Sequence, residues 1–474
     1  MYPARALQYA RDKRTRFVSE LKDFLRFPSV SSDPDRSADV KRCAEWLARH
    51  LRKIGLDRVK VIPTRGHPLV YASWERAPRR PTILIYGHFD VVPPGPPTKW
   101  QIPPFAPTVR DGSLHGRGAA DDKGQLFCHI KAIESYLRTA RALPVNVKCL
   151  FEGEEEIGST HLLQFLDKNR KLLSADAAVI SDTKMQAPGR PAISYAQRGG
   201  LRAEIEVWGP REELHSGTFG GAILNPIQAL CEMIAQLHDK HGRVRIPGFY
   251  DDVLELSEAE RAYLRRTGPS DERLRREAKV SQGWGEVGYT LYERSTARPA
   301  LTLNGISGGH TGVGVKGIIP ARALAKLSFR LVPGQDPERI GALFREYIQR
   351  ITPAAVESSV RTFSPIAAAM VDVREPAVRL AALAYRRGFG AAPVFIRSGG
   401  SIPVVNAFRK CLGIPSVLMG FGLPGDRIHA ANEKFQLQNF YRGINTSIWY
   451  LQAAAGIRTR RSSGMEQPEA AGML

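Results

Sequence analysis

Four short apolar runs, at residues 82–86, 145–151, 177–181 and 415–419, constrain this chain most, because the segments between them repeat their apolar residues at helical spacing. Val40, Cys43, Leu47, Leu51 and Ile54 form one such helical face, and Leu126, Ile130, Ile133 and Leu137 form another. Strands alternating with helices predict an α/β core whose central sheet is mostly parallel and flanked by helices. From about Gly199 the character changes. Residues 203–208 and 325–331 alternate as half-buried strands do, with a charged helical stretch at 256–277 between them. The α/β pattern then resumes with the apolar helix at 378–385. The expected organisation is a discontinuous domain of residues 1–196 and 370–457, an inserted α+β domain of residues 197–369, and a loose polar tail at 458–474. A chain of 474 residues is long enough for two such cores.

Composition narrows the function. The formal charge is +21, from 68 Lys and Arg against 47 Asp and Glu, which raises the possibility of a polyanion partner. The basic residues are dispersed and no nucleic-acid module accompanies them, so no nucleic-acid partner is expected. The five cysteines are widely spaced and form no CxxC pair, which implies neither a disulfide framework nor a thiolate metal site. The N-terminal stretch mixes Arg5, Arg11, Lys13 and Arg14 with Asp12, Glu20 and Asp23, as a surface helix does. No run approaches the ~18 apolar residues that span a bilayer, so no membrane partner is expected and the cytoplasm is the expected compartment.

The chemistry-bearing residues collect where the strands end. His88 and Asp90 follow the first apolar run, and in extended chain they can point to the same side, so that the carboxylate can orient the imidazole. Asp121 and Asp122 open the helix of Leu126 and Ile130; Glu155 and Glu156 follow the second run. Asp182 ends the third, and His429 lies in the loop after the last. Each has an ordinary structural reading when taken alone: a turn histidine, a helix cap, a solvated acidic loop. Together they put two imidazoles and several carboxylates at one edge of one sheet, the edge at which α/β proteins bind ligands. Three ligand carboxylates and a bridging hydroxide would balance two divalent ions, and carboxylate and imidazole donors suit Zn²⁺, Mn²⁺ or Co²⁺. His115, His129, His161, His238 and His241 carry no such pattern and read as surface or core-edge residues.

In this order, His88-Phe89-Asp90, Asp121-Asp122-Lys123-Gly124, Glu155-Glu156, Asp182 and His429 resemble the M20 metallopeptidases, and most closely their carnosinase-like cytosolic dipeptidase branch. The resemblance spans nearly the whole chain. It implies that Asp121 bridges two metals, Zn²⁺ foremost, with His88 and Asp182 on one and Glu156 and His429 on the other. It further implies that Asp90 orients His88, that Glu155 is the general base, and that the Asp121–Asp122 peptide is cis. The insert then resembles a lid and dimerisation domain. His215, in Glu213-Leu214-His215-Ser216-Gly217, would act in the active site of the partner in a homodimer, while Arg330 and Ser401 would hold the substrate's C-terminal carboxylate. Gly317 stands where the dipeptidases carry a threonine. The activity implied is hydrolysis of dipeptides. An N-acyl-amino-acid deacylase or a succinyl-diaminopimelate-type desuccinylase would use the same metals, and a non-catalytic binding protein could keep the scaffold.

Overall fold

The structure is a computed structural model that describes residues 2–457; the tail expected at 458–474 lies outside the described residues. The chain forms two compact units, one comprising the chain up to Tyr195, Val371–Ile396 and the residues from Pro403 onward, the other Ala196–Met370 with Arg397–Ile402.

The first unit is built on a sheet whose strand order is Asp57–Ile62, Leu69–Trp74, Asn146–Glu152, Thr82–His88, Ala177–Ile180, Ser416–Met419 and Ala192–Gln197. The four apolar runs of the sequence are its four central strands, and they pair parallel with one another. Antiparallel strands flank them on both sides. Thr82–His88 is buried along nearly its whole length, as a strand covered on both faces must be. Each large aliphatic side chain removed from water there contributes about 1.5–3 kcal/mol.

Helices cover the sheet. Ser37–Ile54 buries Val40, Cys43, Leu47, Leu51 and Ile54, the stripe expected from their spacing. Lys123–Ala140 lies against both Thr82–His88 and the helix Leu437–Ala454, which also packs on Pro376–Gly388. The N-terminal stretch forms helices Tyr2–Asp12 and Arg14–Leu25, with Ala6, Ala10, Phe17, Leu21 and Phe24 buried. No described helix is long and apolar enough to cross a membrane.

The second unit holds a four-stranded antiparallel sheet in the order Ala300–Gly308, Arg322–Leu331, Gly199–Trp208, Glu357–Ile366. Burial alternates along Gly199–Trp208 and Arg322–Leu331, so one face packs under the helices Pro226–Ala235 and Pro337–Ile351. Leu201, Ala203, Ile205, Leu327, Phe329, Met233 and Phe344 form the core there. The charged stretch at 256–277 is two helices, Glu258–Thr267 and Asp271–Ala278, with Ser257 and Ser270 as caps.

Candidate metal centre

The parallel strands deliver their last residues to one edge of the sheet. His88 ends Thr82–His88, Glu155 and Glu156 open a single 3₁₀ turn just beyond Asn146–Glu152, and Asp182 follows Ala177–Ile180. Asp121 lies two residues before the helix that begins at Lys123 and has Asp122 as its N-cap residue, where helix-end amides favour negative charge. The approach is tight. A Cβ on Gly87 would stand 2.7 Å from Asp122 Oδ2, and one on Gly124 would stand 2.0 Å from the Ala119 carbonyl oxygen. The Asp121–Asp122 peptide is cis.

Asp121 sits at the middle of the cluster. Its Oδ1 is 3.0 Å from His88 Nε2 and its Oδ2 is 3.0 Å from His429 Nε2. Asp182 Oδ2 lies 3.9 Å from His88 Nε2, and Glu156 Oε2 lies 3.1 Å from His429 Nε2. Two groups of convergent donor atoms result: His88, Asp121 and Asp182, and Asp121, Glu156 and His429. Both contain Asp121, so a cation in each would share one carboxylate.

Electrostatics indicate what the cluster fits. Asp121, Glu155, Glu156 and Asp182 crowd together, and among the described residues no lysine or arginine pairs with any of them. Burial, then the charge of Asp121, raises Asp182 to about 7. Burial also pushes Glu155 well above the usual carboxylate range, against the pull of His88 and with the push of Asp182 and Glu156. His429, hydrogen-bonded to Asp121 and Glu156, rises to about 10. Burial opposes a proton on His88, yet hydrogen bonds to Asp121 and Asp90 hold its pKa well above the ordinary value. Asp122 is fully buried, with Oδ1 unpartnered and Oδ2 accepting from the His88 amide at 3.3 Å. A negative cluster whose imidazoles draw protons for want of other positive charge has the donor set to hold divalent cations.

The neighbours fix these side chains. His88 Nδ1 lies 3.1 Å from the Asp90 carbonyl oxygen and 3.3 Å from its Oδ1. Asp90 Oδ1 and Oδ2 accept from the amides of Glu155 and Glu156 at 3.2 and 3.1 Å. Gln125 donates to the Ala120 carbonyl at 2.8 Å and accepts from the Phe421 and Gly422 amides, tying the Asp121 loop to the segment before His429. Lys123 faces away, donating to the carbonyls of Phe24 and Phe27.

His215, Arg330 and Ser401 belong to the second unit. His215 is exposed and caps a short helical turn, its Nδ1 accepting from the Gly217 amide at 3.1 Å. Arg330 is exposed on Arg322–Leu331, and Ser401 donates to the Arg198 carbonyl. The Gly317 carbonyl accepts from the Ser216 amide.

Other residues depart from the sequence reading. His129 is fully buried rather than at an edge, with Nε2 2.6 Å from Ser181 Oγ. His161 does have a carboxylate partner, Glu154, at 2.9 Å. A third convergent group, Glu20, His50 and Glu134, went unseen because its members are far apart in sequence. It already holds a cation: Lys131 Nζ lies 2.6, 2.7 and 2.8 Å from Glu20, His50 and Glu134, using its three donors on three acceptors. Glu433 was also missed; it lies four residues after His429, buried against the Asp121 loop, and only that proximity in sequence signals it.

Residues 84–452 match Peptidase family M20/M25/M40. The chain belongs to this family. Among relatives of this M20/M25/M40 member, the Cys-Gly metallodipeptidase dug1 of Schizosaccharomyces pombe is 31% identical, with 94% of this chain and 97% of that protein covered. The Beta-Ala-His dipeptidase of Homo sapiens is 30% identical over 95% of this chain and 92% of its own length. The crystal structure of the M20 family metallo-carboxypeptidase Sso-CP2 from Sulfolobus solfataricus superposes with a TM-score of 0.84 at 32% identity, covering 93% of this chain and 99% of that one. The similarity runs through the dipeptidase branch, and the α/β architecture is the family's own.

Proposed function

We propose that this M20/M25/M40 chain is a dinuclear dipeptidase in which His88, Asp121 and Asp182 hold one divalent ion and Asp121, Glu156 and His429 hold the other. The observation that carries the reading is the pair of 3.0 Å approaches from the two oxygens of Asp121 to two different imidazoles. Carboxylates mixed with imidazoles favour Zn²⁺, with Mn²⁺ and Co²⁺ able to fill the same donor set. When bound, the ions would supply Lewis acidity for the scissile carbonyl and for a water.

The remaining work falls to side chains. Glu155, with its affinity for protons raised by burial, accepts a proton from the attacking water and delivers it to the leaving nitrogen as the C–N bond breaks. Asp90 keeps His88 oriented and holds the turn of Glu155 and Glu156 in place. Because His215 Nδ1 accepts the Gly217 amide proton, its Nε2 carries the hydrogen and is a donor suited to the oxyanion. We assign that donor to the partner's site in a homodimer. Exposed Leu303 and Ile306 on the edge strand Ala300–Gly308, with Val313 and Val315 fully exposed beyond it, support such an interface. Arg330, which no carboxylate pairs among the described residues, and Ser401 would hold the substrate's C-terminal carboxylate. The unit Ala196–Met370 would then serve as lid and dimerisation domain. Five unpaired thiols suit the cytoplasm.

The dipeptidase names of the relatives favour dipeptides over N-acyl amino acids. Carboxypeptidase action on longer peptides is the second reading, because Sso-CP2 is 32% identical. A panel of dipeptides, tripeptides and N-acyl amino acids offered to the metal-loaded protein tests both. Turnover confined to dipeptides is expected, and turnover confined to N-acyl amino acids would overturn the assignment.

A further inference from the structure

Glu433 is fully buried, and every hydrogen bond it accepts comes from one short segment. Oε1 accepts from the amides of Ala120 at 2.9 Å and Asp121 at 3.1 Å. Oε2 accepts from the Gly118 amide at 3.1 Å and from Arg117 Nη1 at 2.7 Å. Its carbonyl oxygen accepts from the Gly116 amide at 3.0 Å. The carboxylate thus gathers the loop that ends in Asp121. The amide it grips at the end is that of the residue whose side chain faces both imidazoles.

Glu433 also terminates the loop of His429. Arg427, His429 and Asn432 all adopt left-handed backbone, with φ of 60°, 62° and 64°, a conformation that side chains other than glycine and asparagine adopt only at a cost. Contacts hold that conformation. The Asn432 side chain accepts from the Gln101 amide at 2.7 Å and donates to the Lys99 carbonyl at 2.9 Å. Arg117, itself buried, lies over the Trp100 ring and donates to the Pro93 carbonyl. One side chain therefore joins the segment that presents the shared carboxylate to the segment that presents the second imidazole.

We propose that Glu433 is a positioning residue that fixes Asp121 and His429 relative to each other before any cation arrives, so that both metal sites are assembled as one. The inference rests on the dinuclear reading above. An ordinary buried ion pair between Arg117 and Glu433 would also explain one of these contacts, but not the three backbone amides arranged around the carboxylate. Amides fixed in this way set the main chain from which the shared ligand projects, as residues behind the ligands of metal sites do.

Zn²⁺ affinity of the full-length, metal-stripped protein, measured by chelator competition, tests the proposal in wild type and Glu433→Gln. The expected result is a folded variant, by circular dichroism, that binds both ions roughly ten- to a hundredfold more weakly. A folded variant with unchanged affinity would overturn the proposal, while a wild type that binds no ion would instead overturn the dinuclear reading. Should Glu433→Gln not fold, amide exchange in the wild type decides. Slow exchange at Gly118, Ala120 and Asp121, equal with and without Zn²⁺, supports preassembly. Fast exchange there until Zn²⁺ is added would mean that the metal orders the loop, and the proposal would fail.

Discussion

His88 Nδ1 lies 3.3 Å from Asp90 Oδ1 and 3.1 Å from the Asp90 carbonyl oxygen, so a single residue meets the imidazole nitrogen that faces away from Asp121. That contact fixes the tautomer, leaving Nε2 free as a ligand. Asp90→Asn weakens the hold on His88 and on the amides of Glu155 and Glu156 together. We expect Zn²⁺ affinity to fall roughly ten- to a hundredfold in chelator competition. Unchanged affinity would mean that Asp90 has no orienting role.

Glu155 and Glu156 are neighbours to which the proposed mechanism gives different tasks, and substitution should separate them. Glu155→Gln is expected to keep its metal while turnover falls roughly 10²- to 10⁴-fold. Glu156→Ala removes a donor beside His429 and is expected to lose metal as well. Metal analysis and steady-state rates on the two variants check this, and a near-normal rate for Glu155→Gln would refute the general-base role.

If His215 serves the partner's site, two inactive variants should repair each other. Glu155→Gln and His215→Ala chains, mixed and allowed to exchange subunits, form mixed dimers with one intact site. Random exchange predicts recovery of about a quarter of wild-type activity, since half the dimers are mixed and half their sites are whole. No recovery, with exchange verified by mass spectrometry, would place His215 in its own chain's site or in none.

His129 gives a dependence on pH that does not involve the proposed metal ligands. Burial lowers its pKa to about 3. The unfolded chain takes up the proton below about 6.5 whereas the folded chain does not, so stability is lost as pH falls through that window. Between pH 7 and 5 this amounts to about 2 kcal/mol, a loss that His129→Gln should escape. Urea unfolding of the metal-free proteins at both pH values measures the difference; equal losses in the two would contradict it.

The sequence made the parallel core legible because fully buried strands read as continuous apolar runs, and residues 82–86, 145–151, 177–181 and 415–419 all did. The residues that the structure gathers into the two donor groups were legible for a related reason: each follows a strand or opens a helix, where function rather than packing selects imidazole and carboxylate. What could not be read was the support behind them. Asp90 was expected to touch His88, but its grip on the Glu155–Ile157 turn depends on parallel pairing between Thr82–His88 and Asn146–Glu152. Lys131, Glu20, His50 and Glu134 meet across three helices, so no spacing revealed them. His129 looked like an edge residue because its partner, Ser181, lies on another element 52 positions away.

The most direct measurement is anomalous diffraction from crystals of the protein grown with Zn²⁺. Two peaks are expected, one bounded by His88, Asp121 and Asp182 and the other by Asp121, Glu156 and His429, with Asp121 reaching both. A single peak, or peaks away from Asp121, would contradict the dinuclear reading.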